Sequence, residues 1–271
     1  MASLTDRTQA RRLLWLDARA YAERLLAHGA LDWLDVGKVI VWQRQMNGLL
    51  PSDVVTLDVE PVIAAWLRAS PSRPEAMAAR RRATYALKVL LLDDALRRHL
   101  VELAAALRGS FTGHVLALAF PEPERWLQWA HAAAHGEVAA DADTDAVETA
   151  GTYIADFLRS FADAGLDAVV MSGEWSPAKA DAVRPVQNLC AHYKADCGWR
   201  ATGATDAPAD AGFDFVVGSA AVPGICSGIT VPAAFWSGAA PEAAAPGGFR
   251  YATVPPELPP ETALQRVVEL A

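Results

Sequence analysis

Short apolar, β-branched runs recur along this chain, and helical segments separate them. Eight such runs begin near residues 38, 54, 114, 167, 196, 213, 229 and 249. They include Lys38–Trp42, Val54–Val59, His114–Phe120 and Asp167–Gly173. Alternating strands and helices dictate parallel pairing, because a parallel pair needs a long crossover connection. Eight parallel strands can close into a (β/α)8 barrel, which takes about 250 residues. The chain has 271 residues, so the sequence predicts a single α/β barrel domain over residues 1–271. A doubly wound open sheet is the weaker alternative, because no glycine-rich phosphate loop follows the first run.

Two regions depart from regular alternation. Leu13, Leu14, Leu16, Tyr21, Leu25 and Leu26 recur at helical spacing. They predict a helix over 6–28 that stops at Gly29, within an N-terminal helical segment, 1–36, packed on the barrel. After Lys194 the runs Asp196–Thr202, Phe213–Gly218, Ile229–Trp236 and Phe249–Val254 follow one another closely. Their helical connections shrink to loops such as 203–212 and 239–248. A last helix is expected over Thr262–Leu270.

Hydrophobic residues make up 52% of the chain, which supplies a large core and excludes a wholly disordered protein. The net charge of −8, with no dense basic block, argues against nucleic-acid binding, which relies on Lys and Arg at phosphates. Cys190, Cys197 and Cys226 do not form a disulfide framework. No apolar run reaches the roughly 18 residues of a membrane span, and the N-terminus lacks a signal-peptide core. The expectation is a cytoplasmic protein with a small-molecule substrate and no nucleic-acid or membrane partner. A homodimer is compatible with it.

In a barrel of this kind, functional residues lie at the C-terminal ends of strands. That rule selects Trp42, Gln43, Arg44 and Gln45 after the first run, Asp58 at the second, Glu174 and Trp175 after the fourth, and Trp199 and Arg200 in the fifth. It selects Trp236 after the seventh. Trp42, Trp175, Trp199 and Trp236 would ring one mouth and offer flat apolar faces to a ligand; the rival reading makes them core. Arg44 or Arg200 would clamp a carboxylate. Asp58, between Leu57 and Val59, would have a raised pKa in a dry site and serve as a proton donor, with Glu174 second. Cys190, His192, Cys197 and Cys226 match no standard zinc spacing, so neither a metal nor a cofactor is expected.

From about Val54 onward the chain resembles the uroporphyrinogen decarboxylase-like superfamily, which includes cobalamin-linked methyltransferases and cobalamin-independent methionine synthase barrels. The segments that carry the resemblance are Thr56-Leu57-Asp58-Val59-Glu60-Pro61-Val62, Ala164 to Val170, Cys197-Gly198, Gly248-Phe249 and Pro260-Glu261-Thr262-Ala263-Leu264. Arg44, Gln45, Leu50 and Pro51 match positions of the decarboxylase signature, but Gly48 stands where a second arginine is usual. The metal-binding histidine of the zinc-dependent relatives is replaced by Ala195 ahead of Cys197. The resemblance implies a barrel and, with the cationic and metal ligands missing, a metal-free lyase or decarboxylase for a small aromatic or heteroaromatic carboxylate. A methyl or alkyl transferase working with a corrinoid protein, and a barrel that only binds a ligand or partner, are the alternatives.

Overall fold

The computed structural model describes residues 3–27, 31–139, 142–203, 208–241 and 246–270. The chain begins α1 (Leu4–Ala10), β1 (Leu13–Asp17), α2 (Arg19–Leu26), α3 (Val36–Leu49), β2 (Val54–Asp58) and α4 (Val59–Arg68). It continues α5 (Ser72–Met77), α6 (Ala83–Leu91), α7 (Asp94–Ser110), β3 (Val115–Pro121), α8 (Pro123–His135), α9 (Thr144–Leu158) and β4 (Ala168–Gly173). The last part is α10 (Ala180–Tyr193), β5 (Asp196–Ala201), β6 (Phe215–Gly218), β7 (Cys226–Thr230), α11 (Ala233–Trp236), β8 (Phe249–Thr253) and α12 (Pro260–Leu270).

The eight strands form one parallel sheet in the order β1-β8-β7-β6-β5-β4-β3-β2. β1 and β2 lie beside each other, so the sheet curls into a nearly closed (β/α)8 barrel. The connections shorten after β5 as the sequence predicts. Among the described residues only a 3₁₀ turn, Ala209–Ala211, joins β5 to β6; no helix joins β6 to β7; and α11 is a single turn. The Gly29 stop falls outside the described residues.

Two strand assignments change. Lys38–Trp42 is helical, inside α3, because the Asp35 carboxylate caps that helix by accepting from the Lys38 N–H at 3.0 Å. Its apolar residues fall at helical spacing, and burial on that face overrides the strand preference of Val and Ile. The true first strand is Leu13–Asp17, inside the segment read as helix. It is buried on both faces, and a short apolar run of this type cannot be told from a buried helix by periodicity. Residues 1–36 therefore supply a barrel strand rather than an accessory helical piece. In the run Ile229–Trp236, the strand starts earlier and ends at Thr230, and Pro232 precedes α11.

The barrel interior is filled by Trp15, Phe215 and Phe249, with ring centroids 5.9–6.1 Å apart. Glycines opposite make room for them. A Cβ on Gly198 would come within 2.1 Å of the Phe215 ring, and one on Gly228 within 2.4 Å of Phe249. Outside the sheet, α7 lays Leu96, Leu100, Leu103 and Leu107 onto the core.

One device recurs at the start of every second strand up to β6. Asp53, just before β2, gives its N–H to the Leu14 carbonyl and takes the Leu14 N–H on its carboxylate, at 2.8 and 2.7 Å. Asp167 grips Leu116 of β3 in the same way ahead of β4, at 2.9 Å for both bonds. Asp214 grips Cys197 of β5 ahead of β6, at 2.8 Å for both. The β3–β4 and β5–β6 pairs also share a regular ladder. At β1–β2 no ladder pair forms, so the Asp53 clamp and a Ser52 hydroxyl accepting from the Leu16 N–H at 3.0 Å hold the seam. Asp53→Ala is expected to cost about 1–3 kcal/mol, because it strands the Leu14 N–H. Asp53→Asn keeps that acceptor and loses mainly the partly exposed Arg11 pair, so it should cost under about 1 kcal/mol. Urea denaturation of both variants checks this; equal costs would show that the clamp does not hold the seam.

Candidate active site

Side chains alternate along each strand, so those facing into the barrel at its C-terminal end can be read off the register. They are Asp17 of β1, Thr56 and Asp58 of β2, Ser172 of β4, Arg200 of β5 and Tyr251 of β8. Most of these line one narrow cavity of about 50 Å³ that opens at the mouth. It continues between β1 and β2 to the inner face of α3, where Trp33, Trp42 and Gln43 line it.

Arg200 lies across the mouth. Its Nε donates to Ser172 Oγ at 2.9 Å and its Nη1 to the Tyr251 hydroxyl, while Asp17 Oδ2 stands 3.6 Å from Nη1. Tyr251 passes the chain on by donating to Asp17 Oδ2 at 3.2 Å. Burial pushes the Tyr251 hydroxyl up to about 12, against the pull of Arg200, so it stays a phenol. Burial works against the charge of Arg200, but Tyr251 and Asp17 beside it hold its pKa above the ordinary value. Among the described residues neither Nη2 proton of Arg200 has an acceptor. A fixed guanidinium with two free donors is suited to a carboxylate.

Asp58 ends β2 and caps α4 by accepting from the Glu60 N–H at 3.1 Å. Arg19, at the start of α2, places Nε 3.6 Å from Asp58 Oδ2. Burial dominates nonetheless and raises the Asp58 carboxyl to about 6, with Arg19 opposing. A carboxyl poised near neutrality in a cavity can give or take a proton.

Of the residues expected from sequence, Asp58, Arg200, Trp42 and Gln43 meet at this cavity, the last two reaching it from α3 rather than from a strand end. The others do not. Arg44 and Gln45 lie on the exposed side of α3, because the strand assumed before them is helix. Glu174 is exposed just past β4, and its backbone carbonyl accepts from Lys179 Nζ at 3.0 Å. Trp199 alternates with Arg200 and so points outward; it packs with Trp175 and Phe213 at centroid distances of 5.2–5.5 Å. Trp236 packs on Phe235 near α12. These three tryptophans are core and do not ring the mouth.

Sequence reasoning missed Trp15, Asp17, Arg19, Ser172 and Tyr251. A signal for the first two was present. Trp15-Leu16-Asp17 parallels Thr56-Leu57-Asp58, each an apolar run closed by Leu-Asp immediately before a helix. The cysteines stand apart. Cys197 faces α10 and pairs with Cys190, and that hydrogen bond together with burial holds its thiol pKa well above the ordinary value. Cys226 lies against the interior cluster, 3.6 Å from Thr8 Oγ1, and burial raises its pKa as well. Among the described residues no three His, Cys, Asp or Glu side chains converge as a metal site would require, and no helix is long and apolar enough to cross a membrane. Compared with protein-family models, curated proteins and solved structures, the chain matches none.

The raised Asp58 pKa has a stability consequence. Between about pH 4 and pH 6 the unfolded chain releases the Asp58 proton before the folded one does, so this residue lowers stability as pH rises. Two pKa units correspond to roughly 3 kcal/mol. Asp58→Asn is therefore expected to be more stable than the parent at pH 7, by up to about 3 kcal/mol, with the gap closing below pH 4. Urea unfolding at pH 4, 5, 6 and 7 measures it; a gap that does not change with pH would contradict the burial of this carboxyl.

Proposed function

We propose that this barrel is an enzyme of the uroporphyrinogen decarboxylase-like type, a lyase or decarboxylase acting on a small carboxylate. The observation that carries the reading is Asp58, a carboxyl with a pKa of about 6, in the same cavity as the free Nη2 donors of Arg200. Arg200, held by Ser172, Tyr251 and Asp17, positions the substrate through its carboxylate. The bond between carbon and carboxyl carbon breaks and leaves its electron pair on the substrate carbon. Asp58 in its acid form delivers its proton to that carbon, carbon dioxide leaves, and the Asp58 carboxylate recovers a proton from water. Arg19 stabilises the carboxylate formed in that step.

The transferase alternative would call on Cys197 and Cys226. They lie on opposite faces of the sheet with raised thiol pKa values, which gives that reading no support. Three tryptophans in the core also remove most of the platform for an aromatic substrate, and the narrow cavity favours a compact acid.

A panel of small carboxylates, followed by carbon dioxide release and by deuterium incorporation in heavy water, tests the reading. Turnover is expected to fall as pH rises above about 6, where Asp58 loses its proton. Asp58→Asn is expected to lower it by about 10²–10⁴-fold with binding retained, and Arg200→Met to abolish binding. Turnover that survives Asp58→Asn would overturn the assignment. Ligands that bind without ever turning over would favour a binding barrel.

A further inference from the structure

The inner face of α3 carries Val39, Trp42, Met46 and Leu50 at helical spacing, and Gln43 sits among them. Gln43 is only 5% exposed, yet its side-chain amide makes no hydrogen bond among the described residues. The amide is not wholly enclosed: it reaches the cavity, where a ligand can meet it. Of the nearby polar groups, the Trp42 indole N–H is buried without a partner among the described residues, while Asn47 and Ser52 are engaged. Asn47 Oδ1 accepts from the Ser52 N–H at 3.2 Å, and Ser52 Oγ accepts from the Leu16 N–H at 3.0 Å. Gln43 does not satisfy the open edges of β1 or β2, so it has no seam-closing role. It lines the end of the cavity that runs between those strands.

The charged residues on the cavity, Asp17, Arg19, Asp58 and Arg200, belong to the barrel mouth, where they contact one another. The residues of α3 and its flanks on the cavity, Trp33, Trp42, Gln43, Met46 and Asn47, carry no charge. A second carboxylate there would lie in an apolar cleft without a cation, which is costly. An uncharged carbonyl or carboxamide would pair with the Gln43 amide, which offers both a donor and an acceptor. We propose that Gln43 is a specificity-determining residue: the substrate is a short acid whose carboxylate meets Arg200 and whose uncharged carbonyl or carboxamide end sits against Gln43. This rests on the functional reading of Arg200 given above.

Three probes of equal chain length separate the possibilities: butyrate, succinamate and succinate, titrated calorimetrically into the protein and its variants. Succinamate is expected to bind about tenfold more tightly than butyrate, the worth of one net hydrogen bond. Succinate should bind no better than butyrate. Gln43→Met should erase the preference and keep butyrate binding, and Arg200→Met should remove all three. Equal affinity for butyrate and succinamate, or a succinamate preference that survives Gln43→Met, overturns the inference and leaves the Arg200 reading standing. If none of the three binds, the Arg200 reading falls and this inference falls with it.

Discussion

The barrel depends on aspartates that stand one residue ahead of a strand and grip the strand before. Each returns both an N–H and a carboxylate to one residue, so a side chain supplies the acceptor that a ladder would otherwise provide. At Asp167 the carboxylate also holds Arg108, which ties in the Gly165 carbonyl at 3.0 Å. At Asp53 there is no ladder to help; the clamp joins β1 to β2 at their N-terminal ends, and the Trp15 Nε1–H donates to Thr56 Oγ1 at 2.9 Å farther along. The cavity between the mouth and α3 is lined by residues from both sides of this unladdered seam.

The charge arrangement at the mouth follows from strand geometry. Asp17 and Asp58 close β1 and β2 and face inward, and Arg200 reaches across from β5 to the first of them. Ser172 takes Nε, Tyr251 and Asp17 face Nη1, and Nη2 has no acceptor among the described residues. Asp58 accepts from the Glu60 N–H and has Arg19 3.6 Å away, and burial prevails over both. Two carboxylates in similar sequence settings thus end in different surroundings, one accepting from Tyr251 beside Arg200 and the other capping α4 beside Arg19.

Much of the barrel was legible because its middle strands alternate with well-marked helices. The run before α4, the wholly buried β3 and β4, and the shortened connections after β5 all read directly from the residues. The first strand did not, since Leu13–Asp17 is buried on both faces and carries no alternation, and α3 is rich in Val and Ile. That one error displaced the first site segment by about two dozen residues. It put Arg44 and Gln45 forward and hid Trp15, Asp17 and Arg19. Asp58 and Arg200 were legible because strand and register were right there. Gln43 was put forward with Arg44 and Gln45, and nothing local distinguished it from those two solvated neighbours; only the helical face of α3 separates them.

β1 joins the sheet by its ladder with β8, Leu13 pairing with Phe249 and Asp17 with Thr253. These contacts span more than two hundred residues of sequence, while most other strand pairs are near neighbours along the chain. Ordering so long a loop carries an entropic cost that only late contacts repay. The site therefore draws on both ends of the chain: Trp15 and Asp17 of β1 stand beside Tyr251 of β8, and opening that one pairing would leave most of the sheet intact while removing one wall of the cavity.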